Sequence, residues 1–195
     1  MKEIRSTIIQ TDEDNASELV LVGTPILFDQ PTTITTNTGS FIEVIERGAL
    51  NEVNLNDTRL LYNHQLDKVP LAKTPKTMQL TIGNDGLHMR AELPNTEEAR
   101  SIHEAVARED LSGMSFGFTL DEDGQTWEKR SDGSLLRTIH KINKIYEISI
   151  VPFPAYENTT VSVEARSKVQ HIEQEAKAEK DLKITLNKIL FKGDI

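Results

Sequence analysis

Short runs in which apolar and polar residues alternate fill the first two-thirds of the chain, and this period of two is typical of half-buried strands. The clearest run, residues 78–93, has two alternating arms that flank the tetrapeptide Gly-Asn-Asp-Gly. Glycine, asparagine and aspartate tolerate the positive φ angles of tight turns. The pattern therefore predicts a β-hairpin here and a chain built mainly from strands.

One segment, residues 95–110, has a helical pattern instead. Asn95 and Glu98 have the spacing of a capping box, which satisfies backbone N–H groups at a helix start. Apolar spacing predicts that the buried face comprises Ala99, Ile102, His103 and Val106. Strand-like runs resume afterwards, and this order predicts a mainly β fold with helices (α+β) or a small β-barrel.

Composition excludes several classes of function. The 195 residues suffice for one domain with a short appendage, and the net charge of −9 argues against general nucleic-acid binding. The absence of cysteine excludes disulfides, thiolate metal ligands and a cysteine nucleophile, and favours a reducing cytoplasm. No run is apolar enough for a signal peptide or a membrane span, so we expect a soluble intracellular protein.

Ser115 lies between two glycines in the strand-like run LSGMSFGFT. In a regular strand Gly113, Ser115 and Gly117 share one face, and the two phenylalanines point to the other face, into the core. An almost bare face around a serine suits an extended peptide lying across a nucleophile. The alternative is a tight sheet crossing in which the serine is merely small.

Three further residues are candidates for chemistry. His64 ends the strand-like LLYNH at a junction with a polar loop, a favourable place for a catalytic histidine. Glu147 interrupts the apolar run of YEISIV, and a buried carboxylate needs a cationic or hydrogen-bonding partner such as histidine. An edge-strand charge is the alternative reading of Glu147. His140, in RTIHKI, is compatible with either a structural or a catalytic role.

Three blocks of the sequence together resemble the tailed-phage prohead maturation protease family. They are LLYNHQLDKVPLAKT, AELPNTEEARSIHEAVAREDLSGMSFGF and YEISIVPFPAYENTTVSV, in the family's order, and the resemblance spans roughly residues 20–163. It implies a small β-barrel of the herpesvirus-assemblin type, with a protease domain at residues 1–163. Residues 164–195, rich in charged helix formers, would form a charged helical or flexible tail.

The resemblance also implies residue roles. His64 matches the family's catalytic histidine, Ser115 its nucleophile and Glu147 its acidic third member, with His140 as an alternative because the herpesvirus relatives use a second histidine. Gly113 and Gly117 would let the substrate backbone approach the serine. A serine needs a neighbouring base, and that base needs an orienting partner, so the three residue types fit this chemistry.

The resemblance implies a serine endopeptidase without cofactor or metal, acting in the bacterial cytoplasm inside the immature capsid. It would cleave the scaffold segment of the major capsid protein and also itself. Its partners would be the major capsid protein and, by dimerisation or autocleavage, another copy of itself. The alternative is an inactive capsid-assembly or scaffold-binding module with the same fold. A metal hydrolase using His64 and His88 is a weaker hypothesis, because no metal-ligand spacing supports it.

The tail generates a first prediction. Within residues 182–191 the apolar positions recur at helical intervals, so they could form one partner-binding face: Leu182, Leu186, Ile189 and Leu190. We expect the tail to be a dispensable appendage that takes the protease into the assembling shell or is trimmed there. A chain ending at Arg166 should therefore fold, keep its thermal midpoint and cleave a soluble substrate, yet be under-represented in purified proheads. An insoluble or unfolded truncation would instead show that the tail packs on the core.

Overall fold

The computed structural model describes residues 3–11, 19–36, 39–152 and 178. Its regular elements, in chain order, are β1 (Glu3–Thr11), β2 (Val20–Leu27), β3 (Thr32–Thr36), β4 (Gly39–Ile45), β5 (Arg59–Tyr62), β6 (Ala72–Lys73), β7 (Met78–Ile82), β8 (Gly86–Glu92), α1 (Glu97–Ala107), β9 (Gly113–Thr119), β10 (Gln125–Lys129), β11 (Leu135–Ile139) and β12 (Lys144–Val151). No helix in these ranges is long and apolar enough to cross a membrane.

The strands form two sheets. The larger has the order β6-β5-β12-β9-β1-β2-β8-β7, and the smaller has the order β10-β11-β4-β3. The predicted hairpin is confirmed as β7 and β8, which pair antiparallel, and the Gly83 N–H donates to the Gly86 carbonyl at 2.8 Å across the turn. The mainly β architecture, with the α-helix α1 beside the strands, also agrees with the sequence pattern.

The predicted closed barrel does not form. Across the described ranges the large sheet ends at β6 and β7, and no ladder joins these two strands. Strand β6 has two residues and is followed by Thr74 and Pro75, and proline has no N–H to extend a ladder. Strands β10 and β11 belong to the separate smaller sheet. The predicted helical tail, residues 164–195, lies outside the described residues except for residue 178.

Helix α1 buries the face that its periodicity predicts. Ala99, Ile102 and Val106 are buried, and His103 is half-buried. The cap, however, is Thr96 and not Asn95, because the helix begins one residue later than the capping-box spacing indicates. The Thr96 hydroxyl oxygen accepts the Ala99 N–H at 3.3 Å.

The smaller sheet contains a buried ion pair of its own. Arg137 on β11 is fully buried, and its guanidinium donates to Glu43 on β4 at 2.9 Å and to Gln125 at 2.7 Å. The Trp127 ring stacks near the guanidinium, with 5.5 Å between the Arg137 Cζ and the ring centroid. Both charges are therefore compensated within this sheet, as burial of charged groups requires.

A β-bulge in β12 shapes the surface next to Ser115. The register between β12 and β9 shifts between Ile145 and Glu147, so the bulged residue is Tyr146. Strict alternation would place Tyr146 on the face opposite to Glu147 and its partner Gly117. The Tyr146 ring nevertheless occupies the space that a Cβ on Gly117 would fill. The bulge thus turns Tyr146 toward the face that carries Gly117, and it gives a packing reason for a glycine there.

This packing generates a prediction. In Gly117→Ala the new Cβ would lie 2.6 Å from Tyr146 Cε2 and nearer still to the hydroxyl end of the ring. We expect a loss of about 1–3 kcal/mol in the free energy of unfolding, measured by chemical denaturation. Gly48→Ala is the matched control, because its Cβ would meet Asn51 at an ordinary 3.7 Å.

The same substitution in a Tyr146→Ala background should cost much less, because the ring that collides with the new methyl group is gone. An equal loss in both backgrounds would contradict the packing argument. If Gly117→Ala left the stability unchanged in both backgrounds but slowed cleavage, glycine would be required at this position only for the approach of the substrate.

Candidate active site

Ser115 lies in the middle of the large sheet. Strand β9 pairs with β12 on one side and with β1 on the other, and Ser115 is directly opposite Ser149 and Ser6 in these ladders. Its side chain shares a face with Gly113 and Gly117, and Phe116 on the opposite face is buried in the core, as the alternation predicts. Ser115 is only 1% exposed, and within the described structure its Oγ has no hydrogen-bond partner.

The structure brings His64 and Glu147 together. Strand β5 runs parallel to β12, with Arg59 opposite Glu147 and Tyr62 opposite Ile150. The chain then leaves β5 and turns back, so that His64 lies over the sheet. His64 Nδ1 is 3.0 Å from Glu147 Oε1, and the carboxylate side chain is 4% exposed.

The turn that positions His64 uses an uncommon backbone conformation. Asn63 and His64 have φ angles of 48° and 57°, in the left-handed region. Asparagine and histidine enter this region more readily than most residues, but the conformation still requires support from its surroundings. The support comes from β12, because the Asn63 N–H donates to the Ile150 carbonyl at 2.9 Å and the His64 N–H donates to Ser149 Oγ at 3.2 Å.

Ser149 is the site residue that the sequence analysis missed. Its hydroxyl donates to Glu147 Oε2 at 2.6 Å and accepts from the His64 backbone. The spacing of two between Glu147 and Ser149 in YEIS already places both on one strand face. The sequence does not show that His64 returns to that face. No sequence pattern therefore indicated that Ser149 contacts both His64 and Glu147.

These contacts decide which nitrogen of His64 is left for chemistry. An ionised carboxylate only accepts hydrogen bonds, so Nδ1 carries the proton that points to Glu147. Nε2 is then the basic nitrogen, and the imidazole side chain is 25% exposed. A histidine held in this tautomer by a buried carboxylate can take a proton from a hydroxyl group and return it to a leaving group.

The structure places the alternative residues elsewhere. His140 follows β11 at the smaller sheet, and its two ring nitrogens contact Glu46 at 2.7 Å and Thr126 at 2.9 Å. His88 lies on β8 and contacts Asp85 and Thr24. Neither histidine contacts His64 or Glu147. In the described ranges no cluster of three or more metal-ligating side chains is present.

A cavity of about 680 Å³ opens between β2, β8 and the smaller sheet. Phe116 lines it from the core face of β9, together with Ile26, Ile45 and Met89. None of His64, Ser115 and Glu147 lines it. The cavity is therefore separate from the cluster that carries the candidate chemistry.

Comparison with known proteins identifies the family of the chain. The family model described as caudovirus prohead serine protease, Peptidase_S78, matches residues 6–175, which include β1 and extend beyond the predicted domain boundary at residue 163. The chain matches no curated protein and no solved structure. The family model covers most of the sequence, and it describes the serine protease class that the sequence blocks predict. The chain therefore belongs to the caudovirus prohead serine proteases.

Proposed function

We propose that this serine protease cleaves peptide bonds with Ser115 as nucleophile, His64 as general base and Glu147 as the residue that orients the base. The observation that carries the proposal is the 3.0 Å contact between His64 Nδ1 and buried Glu147, beside the strand that bears Ser115. The alternative third member, His140, has no such contact with His64.

Strand register supports the assignment of Ser115. Ser149 touches both His64 and Glu147, and Ser115 is its direct partner on β9. Side chains directly opposite each other in an antiparallel pair point to the same face, with Cβ atoms about 4.5–5.5 Å apart. The nucleophile and the histidine–carboxylate pair therefore lie on one face of adjacent strands. The Ser115 hydroxyl is also uncommitted, since no group in the described residues hydrogen-bonds to it.

The chemistry follows from these positions. Ser115 Oγ attacks the scissile carbonyl carbon while His64 Nε2 accepts the hydroxyl proton, and Glu147 stabilises the resulting imidazolium. The tetrahedral intermediate collapses with cleavage of the C–N bond, and His64 donates its proton to the leaving amine. Water, activated by the same histidine, then hydrolyses the acyl-enzyme and regenerates Ser115.

Access to Ser115 requires a movement of the protein. The residue is 1% exposed, so a peptide reaches Oγ only after neighbouring groups are displaced. The ring of Tyr146 covers Gly117, two residues along the same strand face, and would have to shift if an extended peptide lay there. Gly113, at the start of β9, is also buried, and its role in substrate approach stays a prediction.

The substrate that fits this family is the scaffold segment of the major capsid protein, and the protease itself is a second substrate. Cleavage would take place inside the prohead in the bacterial host. Mass mapping of the new termini after co-production with the major capsid protein of the same phage tests this directly. An inactive assembly module would give the same termini with wild-type chain and with Ser115→Ala.

The first activity prediction concerns the reacting groups. Ser115→Ala and His64→Ala should each lower kcat/KM by about 10⁴-fold or more, because the nucleophile and its base act as one unit. Circular dichroism and the thermal midpoint should show that both variants remain folded. Cleavage at the normal rate by folded Ser115→Ala would exclude Ser115 as the nucleophile.

The second activity prediction concerns the third member. Glu147→Gln should lower kcat by roughly 10³- to 10⁴-fold, less than Ser115→Ala does, because this residue orients the base and does not react. His140→Ala should change kcat little, since its ring contacts Glu46 and Thr126 instead. If His140→Ala were inactive and Glu147→Gln active, the third catalytic residue would be His140 and not Glu147.

A further inference from the structure

Ser149 completes a closed ring of hydrogen bonds in the site. The His64 N–H donates to Ser149 Oγ at 3.2 Å, Ser149 donates to Glu147 Oε2 at 2.6 Å, and Glu147 Oε1 contacts His64 Nδ1 at 3.0 Å. Each of the three residues thus contacts the other two. Ser149 is fully buried, so its hydrogen bond to Glu147 forms in a medium where water does not compete.

The ring fixes two degrees of freedom that the chemistry needs. One is the rotation of the Glu147 carboxylate, which Ser149 holds by binding the oxygen that does not face His64. The other is the left-handed backbone at His64, whose N–H has Ser149 Oγ as its partner. Without the hydroxyl, the buried carboxylate loses a charge-assisted hydrogen bond and the His64 amide loses its acceptor.

We infer that Ser149 is a positioning residue for proteolysis, and this inference rests on the proposed roles of His64 and Glu147. Its hydroxyl holds the Glu147 carboxylate and the His64 backbone, so that Nδ1 of the imidazole stays on Glu147 and Nε2 is left to accept the Ser115 proton. It acts through the other two residues and does not touch the substrate.

The contacts also exclude Ser149 as the nucleophile. Its proton is donated to Glu147, and its contact with His64 is to the backbone N–H. A nucleophilic serine needs Nε2 of the histidine, the nitrogen opposite the one that Glu147 occupies. Ser115, directly opposite Ser149 on β9, has no hydrogen-bond partner in the described residues, so its hydroxyl is free to use Nε2.

The test compares Ser149→Ala, which removes the hydroxyl, with Ser149→Thr, which retains it, and with Ser149→Cys, which is similar in volume but a weak donor. The substrate is a peptide spanning the junction mapped in the capsid protein. We expect kcat to fall roughly 10- to 100-fold in Ser149→Ala and Ser149→Cys at unchanged KM, which is the loss expected for one hydrogen bond to a charged group. Ser149→Thr should recover most of kcat.

A spectroscopic measurement separates positioning from stability. The low-field proton resonance of the His64 Nδ1–H···Glu147 bond should be present in Ser115→Ala, and should broaden or disappear when Ser149→Ala is added. Thr58→Val is the matched control, because it removes another buried hydroxyl that bonds to the Leu55 and Ile145 carbonyls and not to the site. It should lower the thermal midpoint and leave kcat and the resonance unchanged.

A double-mutant cycle completes the test. If Ser149 acts through the carboxylate, Ser149→Ala should cost little further activity once Glu147→Gln is present. An unchanged kcat and an unchanged resonance in folded Ser149→Ala would overturn the inference. If Ser149→Ala does not fold, the Ser149→Cys variant decides by the same criteria. An active Ser115→Ala would overturn the proposed function instead, so the two failures are distinguishable.

Discussion

The candidate site depends on how one buried carboxylate is satisfied. Glu147 lies in the interior of the large sheet, and a charge in such a place is costly without hydrogen-bonding partners. Its two oxygens are bound by His64 and by Ser149. His64 reaches Glu147 through the left-handed turn after β5. The same contact therefore satisfies the buried carboxylate and positions the base.

A second buried carboxylate in the same molecule shows why burial alone does not identify a catalytic group. Glu43 is as deeply buried as Glu147, but its partner is the guanidinium of Arg137, beside Gln125 and Trp127. Arginine stays protonated under all relevant conditions, so this pair has no proton to transfer. The partner of Glu147 is a histidine, whose imidazole can accept and donate a proton during a reaction. The chemical identity of the partner separates a structural pair from a candidate catalytic pair.

Local periodicity predicted much of the fold. The hairpin of β7 and β8, the buried face of α1 and the core-facing phenylalanines of β9 each follow from spacing over a few residues. The prediction of a closed barrel was wrong, because closure requires pairing between the two edge strands of the sheet, β6 and β7, which local sequence patterns do not reveal. The position of Tyr146 on the Gly117 face was not predictable either, because a β-bulge changes the alternation of side chains and leaves no mark in a single sequence.

For the site, the residue types in the family-like blocks were enough to nominate His64, Ser115 and Glu147. Their spatial relation was not predictable from spacing, since it depends on the parallel pairing of β5 with β12 and on the register that sets Ser149 opposite Ser115. Ser149 was overlooked for the same reason. Its two hydrogen bonds join residues 64 and 147, and only the folded sheet brings these together.

The central claim, that Ser115 is a nucleophile activated by His64, is tested most directly by covalent trapping. The full chain, co-produced with the major capsid protein, would be treated with a fluorophosphonate, which reacts with activated serines, and the modified peptide would be located by mass spectrometry. We expect one modification, on Ser115 in the wild-type chain, and none in His64→Ala. A modification on another serine, or labelling of Ser115 that persists in His64→Ala, would contradict the account.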